Sequence, residues 1–144
     1  MAREFMLKHE ALTAKIIAVF YDVYNELGHG FLESVYENSM VIALRAAGLS
    51  VQQQVSLPVY FRGQKVGEFF ADLIVEGLVI VENKAARAID PSHEAQLLNY
   101  LRATMMEVGL ILNYGLKPEF KRLAFDNGRK KQSVVPDTSS STGN

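Results

Sequence analysis

The segment from Val51 to Ala85, VQQQVSLPVYFRGQKVGEFFADLIVEGLVIVENKA, constrains the fold more than any other part of the chain. It is rich in Val, Phe, Tyr and Leu and is cut only by the turn-forming RGQ and EG. Three strands are expected, at about 51–61, 65–76 and 78–84, joined by hairpin turns. Pro58 has no amide hydrogen to give a ladder, so it marks the first strand as an edge or a bulge. The third strand raises a question of its own. A strand buried on both faces should end in turn residues, yet this one runs into Glu82, Asn83 and Lys84. The acid and the base are two residues apart and so share a face.

The flanking segments have a different period. Leu12, Ile16, Val19, Phe20, Val23, Tyr24 and Leu27 recur at helical spacing, predicting a helix from about Glu10 to Leu27 with Gly28 just beyond its end. A second helix is expected from about Leu32 to Ala47, closed by Gly48. DPSHEAQLLNYLRATM reads as a third, with Asp90 or Ser92 near its start and Pro91 in its first turn. EVGLILNYG follows as a short buried strand and EFKRLAF as a weaker final one. A strand joined through a helix to another strand favours a parallel pair with a right-handed crossover. The fold class is therefore α/β (α+β), a mixed sheet flanked by helices.

At 144 residues, 49% hydrophobic and 22% charged, the chain has the make-up of one domain, expected over 1–125. Residues 126–144 are polar, Ser/Thr/Gly-rich and aperiodic, and are expected to form a disordered tail. The absence of cysteine excludes disulfides and thiolate zinc sites. No apolar run approaches membrane-spanning length and the first residues lack a signal-peptide core, so a soluble cytoplasmic protein without a membrane partner is expected. A net charge of −1 argues against holding nucleic acid by bulk electrostatics but leaves local contacts open. Lys117, Lys121, Arg122, Arg129, Lys130 and Lys131 cluster late and could meet phosphates, although such runs are usually solvated surface.

Three polar groups stand in apolar surroundings. Asp72 interrupts EFFADLIV, and a hairpin would bring it near Glu82 at one end of the sheet. Two carboxylates about 4 Å apart repel by roughly 4 kcal/mol at an effective dielectric near 20. A proton, a lysine or a divalent cation can offset that, and a plain salt bridge to Lys84 is the simplest version. In GHGFLESVYENS, Gly30, Glu33 and Tyr36 are spaced by three. Glu33 can serve merely as a first-turn acid and Tyr36 as core. In SHEAQLLNYLR, His93, Gln96 and Tyr100 form one polar stripe, and His93 on its own is weak evidence for a ligand or base.

Taken in order, these motifs resemble a known pattern. Asp72 followed by Glu82-Asn83-Lys84 is similar to the D…(D/E)-x-K core of the PD-(D/E)XK nuclease superfamily. Gln96-Leu97-Leu98-Asn99-Tyr100 looks like the Q-x-x-x-Y motif of its lambda-exonuclease-like branch. Gly30-Phe31-Leu32-Glu33-Ser34-Val35-Tyr36 resembles the signature of the small bacterial and archaeal GxxExxY proteins placed in that superfamily. The resemblance runs from the first helix to Tyr114 and implies a restriction-endonuclease-like αβββαβ core. Two departures stand out: Ala71 precedes the aspartate in place of proline, and Asn83 is polar where the family usually has an apolar residue.

The resemblance further implies a nuclease dependent on Mg²⁺ or Mn²⁺ and acting on nucleic acid, DNA favoured over RNA. Asp72, Glu82 and the Asn83 carbonyl would be metal ligands, with Glu33 reaching the metal directly or through water. Lys84 would orient the attacking water and stabilise the charged transition state. Gln96 and Tyr100 would hold the lysine, the phosphate or the strand. The alternative is a binding module that keeps the nuclease fold with little or no turnover. Substrate form and oligomeric state are left open by the motifs.

Overall fold

A computed structural model describes residues 7–130. Helix α1 spans Glu10–Leu27 and α2 Glu33–Ala46. Strands β1 (Val51–Phe61), β2 (Gln64–Val75) and β3 (Val79–Lys84) follow, then α3 (Pro91–Ala103), β4 (Val108–Tyr114) and β5 (Pro118–Ala124). The five strands form one sheet in the order β1-β2-β3-β4-β5. Every pair is antiparallel except β3 and β4, which are parallel across the α3 connection. This is the mixed, helix-flanked sheet expected from the change of period.

Each helix face is explained by its apolar stripe. Ile16, Val19, Phe20 and Val23 of α1, with Tyr36, Met40 and Leu44 of α2, pack on Leu73, Val75, Val79, Val81, Leu110 and Leu112. On the other face Leu97 and Leu101 of α3 pack on Ile74, Ile80 and Ile111. β4 is buried along its whole length because it lies between these layers. Pro58 sits on the edge strand, and the register slips just beyond it, between Val59 and Tyr60. Asp90 caps α3, its carboxylate accepting from the Ser92 amide at 2.8 Å, with Pro91 at the first helical position. His93 completes this cap, its Nδ1 accepting from the Asp90 amide.

Order continues past residue 125. Asn127–Arg129 form a 3₁₀ turn, and the Asn127 amide donates to Glu107 at 2.7 Å. Of the tail expected over 126–144, residues 131–144 lie outside the described residues. Among the described residues no helix is long and apolar enough to cross a membrane.

Candidate active site

The β2–β3 ladder ends at Leu73↔Val81, and its register, continued one step, sets Asp72 opposite Glu82. There main-chain pairing gives way to side chains. The Asp72 amide donates to Glu82 Oε2 at 2.9 Å, and the Asn83 amide donates to Asp72 Oδ2 at 2.8 Å. Each carboxylate therefore binds the other's strand. β3 meanwhile keeps its ladder with β4 as far as Lys84↔Asn113, so β2 is the strand that peels away. The reason lies in β2 and β1 together. Ala71 packs with the α3 side and Leu73 with the α1/α2 side, so alternation breaks at Asp72. Gln54, across from it between Gln53↔Leu73 and Val55↔Ala71, takes φ +52°.

Both acids are strongly perturbed. Burial pushes the Glu82 carboxyl up to about 8, the Asp72 charge adding to the shift. Burial also raises Asp72, partly opposed by the hydrogen bond from the Asn83 amide. Lys84 lowers both electrostatically, yet makes no ion pair within 4 Å among the described residues. The simple salt bridge is therefore not what offsets the repulsion. Burial and the neighbouring Asp72 charge instead favour the protonated form of Glu82.

Glu33 opens α2, and its Oε2 accepts from the Ala85 amide at 3.3 Å, just past Lys84. Its charge also reaches Asp72. Tyr36 holds the loop before it: the hydroxyl donates to Gly28 O at 2.5 Å and accepts from the Phe31 amide at 3.3 Å. Gly30 in that loop has φ +106°, a conformation that favours glycine. Tyr36 also stacks on Tyr114, with centroids 4.1 Å apart, and Tyr114 donates to Asn83 Oδ1 at 3.1 Å. Asn83 is thus polar because it has a buried partner, and its side chain faces away from the carboxylates.

Gln96 and Tyr100 are placed differently. They line an open groove on α3 with Ser92, Ala95 and Asn99, and Tyr100 stacks on Phe69 of β2 at 3.7 Å. No hydrogen bond joins Gln96 to Asp72, Glu82 or Lys84. Gln96 is exposed.

Glu37 was not singled out by sequence. It lies one turn after Glu33, its charge raises both Asp72 and Glu82, and its oxygens accept from Gln53 and Gln54. The i, i+4 spacing from Glu33 was the available signal. The late basic residues are largely engaged elsewhere. Lys121 pairs with Glu94 at 3.6 Å, Lys130 binds the carbonyls of Thr104 and Met106, and Arg129 stacks on Phe125. Arg122 donates to the Lys8 carbonyl, and Lys131 lies outside the described residues.

The donor set suits a hard cation. Among the described residues no three His, Cys, Asp or Glu groups are gathered as a ready cage. Two carboxylates with a neighbouring main-chain carbonyl are nonetheless what Mg²⁺ commonly takes from protein, since it keeps several waters. Asp72 Oδ1 and Glu82 Oε1 accept no hydrogen bond among the described residues, so each acid is anchored by one oxygen and open at the other.

Comparison with curated proteins and with solved structures finds no match to either. A family model of the PD-(D/E)XK nuclease superfamily matches residues 10–123, from the start of α1 into β5. That span holds the acids, Lys84 and the α3 groove within one sheet-and-helix frame, and the chain belongs to the PD-(D/E)XK nuclease superfamily.

Proposed function

We propose that this protein is a metal-dependent nuclease of the GxxExxY type, hydrolysing phosphodiester bonds with Mg²⁺ or Mn²⁺. The observation that carries this reading is the Asp72–Glu82 pair, each acid anchored to the opposite strand with one oxygen left open, beside a lysine that no carboxylate among the described residues claims. When bound, the cation would lower the pKa of a water and polarise the phosphate. Asp72, Glu82 and the Asn83 carbonyl would hold it, with Glu33 supplying a further acid from α2. Lys84, free at the end of β3, would orient the attacking water and meet the charge that builds on the phosphate. Gln96 and Tyr100 would steer the strand along the α3 groove.

The test is a panel of single- and double-stranded DNA and RNA with Mg²⁺ or Mn²⁺, with and without EDTA. Wild type should cleave at least one substrate only when metal is present. Lys84→Ala should lower the rate by about 10²–10³, the usual cost of one electrostatic donor. Gln96→Ala should cost less, because a positioning amide rather than a charge is removed. Cleavage that survives EDTA or Lys84→Ala comes from another site. Binding without cleavage on every substrate would favour the turnover-free module.

A further inference from the structure

Beside the acids lies a second concavity of about 260 Å³. His29 and Gly30 line it from the loop before α2, Ala86 and Arg87 from the loop after β3, and Tyr114 and Gly115 from the end of β4. All three loops are pinned by side chains from elsewhere. Tyr36 holds the first through Gly28 O and the Phe31 amide. Asn113 holds the second as a strand would: the Ala86 amide donates to its Oδ1 at 2.9 Å, and its Nδ2 donates to Ala86 O at 3.0 Å. Tyr24 holds the third, its single hydroxyl hydrogen shared between the carbonyls of Gly115 at 2.6 Å and Leu116 at 2.8 Å. The second and third loops meet so closely that a Cβ on Gly115 would come within 2.7 Å of Ala86 O. The walls are therefore preorganised.

The place and the chemistry both suggest a ligand. The cavity sits beyond the carboxyl ends of β3 and β4, the parallel pair, next to the strand end that carries Lys84. No acid lines it. His29 and Arg87 are exposed, and Arg87 makes no ion pair among the described residues. Glu33, at the margin, is bonded to the Ala85 amide. A planar guanidinium and an imidazole at the mouth of a rigid, acid-free cavity suit a phosphate oxyanion.

We propose that this cavity is a phosphate subsite, taking a phosphate group of the nucleic-acid strand next to the one held at the carboxylates. It rests on the nuclease reading for the identity of the strand, and it commits Arg87 and His29 to binding rather than to chemistry. A backbone diester and a terminal monoester share the required chemistry.

The experiment measures anisotropy of a labelled single-stranded oligonucleotide in EDTA, where no cleavage occurs, between about 50 and 200 mM NaCl. His29→Ala/Arg87→Ala should weaken binding about tenfold at the low-salt end. It should also flatten the log K against log[salt] slope by about 0.7, the release expected for one phosphate contact on a single strand. Arg87→Lys should keep that slope, since the charge is retained. Lys15→Ala, on α1 and within the field of Glu76 at the opposite end of the sheet, should match wild type. Comparing 5′-phosphorylated with 5′-hydroxyl strands separates the sources: a loss confined to the phosphorylated strand assigns a terminal group, an equal loss a backbone diester. Melting temperatures within a degree or so of wild type would show that the variants fold. Unchanged affinity and slope in the double variant, an equal loss in Lys15→Ala, or no binding by wild type would each overturn the subsite. A failure of metal-dependent cleavage, measured separately, would sink the nuclease reading without moving this binding result.

Discussion

Glu82 carries the clearest signature of strain that a ligand could relieve. Its folded carboxyl titrates at about 8, against 4.5 for an ordinary glutamate, first because it is buried and then because Asp72 is beside it. A carboxyl raised on folding stabilises the folded state fully below its unfolded value, and that stability is lost as pH rises through the folded one. The window is therefore about pH 4.5 to 8. Asp72 shifts in the same direction. The lowered acids, Glu68, Glu76, Asp90 and Glu107, act the other way, and their stabilisation is lost only as pH falls below the usual carboxylate range. The metal-free protein should therefore lose stability between pH 5 and 8.5, by about 1 kcal/mol or more, or roughly 3–6 °C in Tm. Glu82→Gln keeps an oxygen for the Asp72 amide and removes the Glu82 titration, so its Tm should fall clearly less than that of wild type over that window, with the rest of the slope left to Asp72. A wild-type Tm that climbs from pH 5 to 8.5 would contradict the buried-pair account.

The elements show why β3 serves as the rigid part of the site. Beneath Glu82 and Lys84, Asn83 is tied to Tyr114, and Tyr114 is stacked on Tyr36, which braces the loop carrying Gly30. Tyr114→Phe keeps the stack but leaves Asn83 Oδ1 without a donor, beside an Nδ2 that already lacks a partner. It should cost on the order of 1–3 kcal/mol in a thermal melt while preserving the fold. Tyr36→Phe should speed hydrogen exchange at the Phe31 amide, which loses its acceptor. Much of this frame was legible beforehand. Apolar spacing placed all three helices to within a residue or two, and the change of period placed the strands, because both report burial directly. Pro58, through its missing amide hydrogen, pointed to an edge or a bulge, and β1 is an edge strand with a register shift just beyond it. The exchange of carboxylates between β2 and β3 was not legible. It depends on the roll of the β1–β2 ribbon at Gln54 and Asp72, a tertiary event with no sequence period. The Tyr114–Asn83 bond joins positions 31 apart, and only the parallel register of β3 and β4 brings them together.

At the scale of the whole molecule, the sheet sorts charge that the sequence leaves mixed. The late basic run, which looked available to phosphates, is spent on carbonyls, Phe125 and Glu94, whereas Lys84 and Arg87 enter no ion pair among the described residues. Negative charge is gathered at one end of the β2–β3 pair, where Asp72, Glu82, Glu33 and Glu37 influence one another. Such a cluster weakens the empty fold and so should make stability respond to a cation. An ion that binds only the folded state adds about 2.7 kcal/mol at a hundredfold excess over its Kd. For a domain of this size that raises Tm by on the order of 10 °C. Mg²⁺ or Mn²⁺ should produce such a rise at neutral pH, and calorimetry in buffers of different ionisation heat should show a proton released as Glu82 ionises. Asp72→Asn should behave differently in each half of the experiment. Without metal its Tm should equal or exceed that of wild type, because the repulsion is relieved while the amide oxygen can still accept from Asn83. With metal the rise should largely vanish, because one anionic ligand is gone. A large loss of metal-free stability in this variant would mean that Asp72 is held for a structural ion pair, and the account of the site as a place kept open for a cation would be wrong.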